Sequence, residues 1–206
     1  MARKKIPENY DKRKNDIIQA SIGLMIKKSM ADFSLASVAE ATGLTKAAIY
    51  WYFPNKNTLI EETVKSVYQA YIGNADKIAA SGLSAYEKLR LIILGESDTI
   101  ASAMMCLFPI KFYLEAYSNE SPVKNLIRDG YEHFNNLIAG LIASGINNGE
   151  FLTDLPVKQL TTFITAAIDG LAFQNLLVSS EHIEYPREFI VSAMDRILRP
   201  VTEKEV

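Results

Sequence analysis

Lys46, Tyr50, Trp51, Tyr52 and Lys56 stand close together in the stretch TGLTKAAIYWYFPNK, residues 42–56, which holds the chain's one tryptophan. Lysine can neutralise a phosphate or donate to a guanine edge. Tyrosine and tryptophan can give a polar hydrogen to a phosphate oxygen while their rings pack on sugar or a thymine methyl. Ala47 and Ala48 are small enough for a backbone to come close to a groove. The chemistry these types suit is recognition of a polyanion. The competing reading makes the aromatics core, with Trp51 closing over it. Helical period opposes that for Trp51, which is two residues from both Ile49 and Phe53; those two lie four apart and share an inward face. Lys56 opens the following helix, either as a phosphate contact or as an ordinary exposed lysine.

The elements that must position these residues can be read from their neighbours. Ala39, Gly43 and Ile49 have the spacing of a helix-turn-helix: a small residue where two helices cross, a glycine for the turn, and an apolar anchor on the second helix. Val38 and Leu44 add apolar contacts. Ser34 is placed to cap the first of these helices and Thr45 the second. Gly43 sits just past a last turn, where a residue with positive φ is often needed. Ahead of them, Ile17, Ile18, Ser21, Leu24, Met25 and Lys28 recur at helical spacing and predict an amphipathic helix.

Charge separates this segment from the rest. Residues 1–60 carry ten Lys or Arg and five Asp or Glu, a balance of +5. The chain has 22 and 24 in all, so twelve and nineteen remain for the other residues, a balance of −7. A basic end on an acidic body suits an anionic partner at that end. The basic arm Arg3 to Lys14 has two readings: a solvated tail, or a segment that follows the DNA backbone or enters a minor groove.

At these residues the sequence resembles the DNA-binding segment of the TetR family of bacterial transcriptional regulators. The likeness covers about residues 15–60 and centres on Ile49, Tyr50, Phe53 and Lys56, the family's Ile-Tyr-x-x-Phe-x-x-Lys element. By position it places Thr45, Lys46, Ala47 and Ala48 at the start of the recognition helix. Tyr50, Trp51, Tyr52 and Lys56 fall where such regulators touch phosphates and bases. Ser34 and Ser37, on the helix before, complete the expected DNA-contacting set. Two positions depart from the family: Ser29 stands where the first helix usually ends in glycine, and Ala36 where an arginine can read a base. Lys46 is then the best placed side chain for a guanine contact.

The rest of the chain reads as helix. A long helix runs from Asn57, with Glu61 and Glu62 expected in its first turn. A helix from Ser84 to about Ser118 is broken near Pro109. Ser121-Pro122 opens another, Asp154 and Pro156 the next, and Tyr185-Pro186 the last, which Pro200 stops. Met104, Met105, Phe108, Phe112 and Tyr113 cluster around Pro109, with Tyr131, Phe134, Phe163 and Phe173 as an opposing wall. They form either an adaptable apolar ligand pocket or plain core. Asp169 and Gln174 pair across a dimer, orient a ligand or face water. The resemblance implies that the last two helices pair with those of a second copy in a four-helix bundle, with Ile168, Leu171, Ile190 and Met194 as the expected contacts. Symmetry argues the same way, because one short reading helix binds weakly alone.

Catalytic signatures are missing. The chain has two histidines, His133 and His182, and one cysteine, Cys106. No zincin, P-loop, dinucleotide or nucleophile-elbow motif appears, and neither a metal nor a cofactor is expected. One cysteine suits a reducing cytosol. The charged start does not read as a secretory signal, and no apolar run approaches a membrane span. The expectation is an all-α chain with a three-helix DNA-binding domain at 1–55 and a helical ligand-binding and dimerisation domain at 56–206. It would act in the cytoplasm as a homodimeric repressor, released from a palindromic operator by an apolar or amphipathic ligand. The alternative is an effector-independent architectural or interaction protein on DNA.

Overall fold

The computed structural model describes residues 9–27, 32–94, 122–178 and 187–198. The fold is all-α. Its described helices are α1 (Tyr10–Lys27), α2 (Leu35–Thr42), α3 (Lys46–Tyr52), α4 (Lys56–Ala79), α5 (Ala85–Leu94), α6 (Pro122–Asn147), α7 (Val157–Val178) and α8 (Arg187–Leu198). Contacts divide the chain into two compact units, and one division falls inside α4 between Val67 and Tyr68.

In the first unit α2 packs on both α1 and α3. Ile17, Met25, Phe33, Val38, Ile49, Phe53, Leu59 and Val64 are fully buried there. The buried hydroxyls of Ser21 and Thr63 donate to the carbonyls one turn back, Ile17 O at 2.8 Å and Leu59 O at 2.7 Å. That contact satisfies a polar group inside an apolar core.

The second unit has its own core, built from Ala75 on α4, Leu89 and Ile93 on α5, Phe134, Ile138 and Ile142 on α6, Leu160, Ile164 and Ile168 on α7, and Ile190 and Met194 on α8. α8 packs against α5 and α7. Polar cross-links join distant helices. Glu150 accepts from Tyr86 N at 3.2 Å, and His133 Nε2 lies 2.9 Å from Asp76 Oδ1. Ser84 caps α5 in the S-x-x-E manner: Glu87 N donates to Ser84 Oγ, and Glu87 Oε2 accepts from Ser84 N. The hydrogen bonds from Ser84 hold the Glu87 carboxyl below its ordinary pKa. Gly130 on α6 sits against the Tyr68 ring of α4, where a methyl group would overlap it.

Two readings near helix starts change: the start of α1, and the place of Glu61 and Glu62 in α4. α1 already begins at Tyr10, so residues 10–14 of the supposed arm are helix. α4 begins at Lys56, and Asn55 Oδ1 caps it by accepting from Thr58 N at 2.9 Å. Glu61 and Glu62 therefore lie in the second turn, away from the helix end where an acid would favour the dipole. Among the described residues no helix is long and apolar enough to cross a membrane.

Candidate nucleic-acid interface

α3 is seven residues long and cannot hold its own shape. Its neighbours fix it. Ser34 and Ser37 cap α2 reciprocally: Ser37 N donates to Ser34 Oγ at 3.1 Å, and Ser34 N donates to Ser37 Oγ at 3.2 Å. Gly43 closes α2 in the left-handed region with φ 65°, donating to Ala39 O and Glu40 O. Leu44 N also reaches Ala39 O, at 2.9 Å. Thr45 then caps α3 by accepting from Ala48 N at 3.2 Å. The turn predicted from Ala39, Gly43 and Ile49 is thus built almost wholly from bonds that span three to five residues.

α3 has two faces. Ile49 and Phe53 are fully buried, as their spacing predicts. Lys46 and Ala47 are exposed, Ala48 is half-buried, and Tyr50 keeps 48% of its surface in solvent. Trp51 keeps 36%. The aromatic run is therefore sorted by side: one ring inside, one out, and two at the edge.

The two edge rings are held by a residue that sequence reasoning left in the arm. Trp51 meets Tyr10 edge-on with centroids 5.3 Å apart, and Tyr52 edge-on at 4.7 Å. Tyr10 stacks on Tyr52 at 5.1 Å. The signal for Tyr10 was present, since it lies seven residues before Ile17 on the same helical face, but the charges at 11–13 masked it. One turn on, Lys14 Nζ sits 5.8 Å above the Phe53 ring and 2.8 Å from Glu62 Oε2. The hydrogen bond to Glu62 raises the Lys14 pKa, against a smaller opposing effect of burial. Lys14 thus ties α1 to α4. Lys56 Nζ lies 5.9 Å above the ring of Phe33 at the first residue of α4. Ser34 and Ser37 use their hydroxyls on each other's backbone, which gives them a local structural task on α2.

The expected ligand and dimer residues are spread differently. Met104, Met105, Phe108, Phe112 and Tyr113 lie outside the described residues. Phe173 and Leu171 fall on α7, but their side chains also lie outside what is described. Phe134 is core, while Tyr131 and Phe163 are exposed. Ile168, Ile190 and Met194 face the chain's own core rather than an outer surface. Asp169 is engaged within the chain: Tyr131 OH donates to its Oδ2 at 2.7 Å and joins α6 to α7. Burial, then the bond to Asp169, pushes the Tyr131 hydroxyl up to about 12. Burial also raises the Asp169 carboxyl, and the bond from Tyr131 partly offsets it.

Known proteins match both units. The profile of bacterial regulatory proteins, tetR family, matches residues 17–63. The tetracyclin repressor-like C-terminal domain matches residues 95–185. The HTH-type transcriptional regulator AcrR of Shigella flexneri is 24% identical over 91% of this chain and 88% of its own length. A TetR-family transcriptional regulator from Cytophaga hutchinsonii superposes with a TM-score of 0.74 at 16% identity, covering 97% of this chain and 100% of that one. The regulator FadR from Bacillus subtilis, solved in complex with stearoyl-CoA, superposes with a TM-score of 0.65 at 19% identity, covering 90% and 95%.

Proposed function

The chain belongs to the TetR family and is a transcriptional regulator, and on that premise we propose that it is a homodimeric repressor released from a palindromic operator by a small apolar or amphipathic ligand. Residues 1–55 read DNA, and residues 56–206 dimerise and bind the ligand. It acts in the cytoplasm, where its operator is, and is not an enzyme.

The observation that carries this reading is the outward face of α3. Lys46, Ala47 and Tyr50 are exposed while Ile49 and Phe53 anchor the helix from within. Thr45, Ala47 and Ala48 bring the backbone at the helix start close to the major groove, and Lys46 donates to a guanine. Tyr50, Trp51 and Tyr52 line the groove wall, and Lys56 neutralises a phosphate beside the start of α4. Ser34 and Ser37 act by holding α2 against the backbone. Two such helices about 34 Å apart, one turn of DNA, read two half-sites.

Large apolar rings left in solvent support the dimer. Phe163 on α7 is 48% exposed and Phe189 on α8 is 69% exposed. Rings this open gain from burial against a second copy. The acyl thioester bound by FadR suggests long acyl chains as the first ligand class to try. Met104, Met105, Phe108, Phe112, Tyr113 and Phe173 are the side chains proposed to meet such a chain. Release requires that the ligand bind the non-reading state more tightly than the reading one.

Selection of duplexes from a randomised library with the full chain tests the reading. A palindromic consensus bound by two copies is expected, and stearoyl-CoA added to that complex should lower its affinity. Recovery of no consensus would refute DNA reading. A consensus insensitive to stearoyl-CoA and to a panel of long-chain amphiphiles would favour the effector-independent alternative.

A further inference from the structure

We infer that Tyr10 is a positioning residue of the DNA-reading surface, its ring setting the pose of Trp51 from outside the reading helix. This rests on the assignment of α3 to DNA made above.

α3 is fixed at its start and along its inner face. Thr45 fixes its first turn, and Ile49 and Phe53 fix its inner face. Neither reaches the outer edge of its last turn, where Trp51 and Tyr52 project in different directions. Tyr10 crosses from α1 to close that edge. Each of the three rings touches the other two, with centroids 4.7 to 5.3 Å apart. The edge-on and stacked arrangements are those favoured by the ring quadrupole. Closed contact of this kind removes alternative rotamers from Trp51 before any partner arrives. Trp51 nevertheless keeps 36% of its surface open. A ring held on one side and open on the other is preorganised for contact, and preorganisation reduces the ordering cost of binding.

Tyr10 is itself held in place. Lys14, one turn later, lies over Phe53 and pairs with Glu62, so the first two turns of α1 are pinned to α3 and α4 together. The stacking surface belongs to the ring, so the hydroxyl of Tyr10 is dispensable for the task.

The test uses Tyr10→Phe, Tyr10→Leu and Tyr10→Met in the full-length protein. Three quantities are measured: affinity for the duplex that the wild-type protein selects from a randomised library, acrylamide quenching of Trp51 emission, and thermal unfolding. The chain's single tryptophan makes the emission site-specific. Phe should retain wild-type affinity and quenching. Leu and Met keep apolar bulk but lose the stack. They should bind about five- to tenfold more weakly, with Trp51 more open to acrylamide. A folded Leu or Met variant that binds as tightly as wild type overturns the inference while leaving DNA reading intact. Failure of both variants to fold assigns Tyr10 to the core and also overturns it. If the wild-type chain selects no duplex, the inference falls with the DNA-reading assignment, and the two failures are told apart by that control.

Discussion

The two units of the molecule are stabilised over different sequence distances. In the first, the turn that shapes α2 and α3 is made by near neighbours, since the Ser34–Ser37 box, the Gly43 turn and the Thr45 cap all close within one helical turn or little more, and the contacts of Tyr10 and Lys14 on α1 add the longer links. In the second, polar cross-links between helices span long separations, with Tyr131 and Asp169 38 residues apart, His133 and Asp76 57, and Tyr86 and Glu150 64. The turn between α2 and α3 is thus specified by local punctuation, and the second unit by how whole helices meet. A short helix such as α3 needs many close attachments, whereas a large helical core can rely on apolar area with a few polar links.

The largest effect is expected at Phe53, the inner anchor of the first unit. Phe53→Ala should destabilise the first unit by about 3–5 kcal/mol. Trp51 emission would then report unfolding at lower denaturant while the bulk of the helical circular dichroism persists. Simultaneous loss of both signals would mean that the units are not independently stable. Gly43→Val places a β-branched residue at φ 65° and should cost about 1–3 kcal/mol, again confined to the Trp51 signal. Lys46→Ala should leave stability unchanged and cost about 1–3 kcal/mol in DNA affinity, with relaxed preference at one base pair. An unchanged consensus would remove Lys46 from the reading set.

The smallest effect concerns the second unit alone. Tyr131 has a folded pKa raised to about 12, so its contribution to stability is full below its ordinary value of 10.0 and is lost as pH rises from there to about 12. Asp169 is raised from 3.8, so the folded state loses stability as pH rises through that carboxyl's titration. Tyr131→Phe should flatten the alkaline limb of the stability profile, and Asp169→Asn should abolish the loss through that carboxyl's titration, so that stability rises more steeply with pH across the acid range. Neither should move the Trp51 signal. An alkaline limb unchanged in Tyr131→Phe would assign it to other groups.

What could be read in the sequence follows the same division. Ser34, Gly43, Thr45 and the inward pair Ile49 and Phe53 were legible because cap, turn and period are short-range signals. Tyr10 was missed because Asp11, Lys12 and Arg13 make its surroundings look like a solvated tail, although it continues the face of Ile17. The ion pair of Lys14 with Glu62 and the bond of Tyr131 to Asp169 join residues with no local relationship, and no spacing rule announces them. Ile168, Ile190 and Met194 show a further limit. Helical period says that one face is apolar, but it does not say whether that face meets the chain's own helices or a second copy's.

The caps around α2 and α3 also bear on how the molecule forms. Contacts that close within three to five residues give a low contact order, and helical units of that kind fold in microseconds to milliseconds. The links of the second unit must wait for loops of 38 to 64 residues to close, and loop closure costs more entropy as separation grows. The caps and turn around α2 and α3 should therefore form early, while the long-range links of both units, Lys14 to Glu62 among them, close later and set the slow step in the birth of a working regulator.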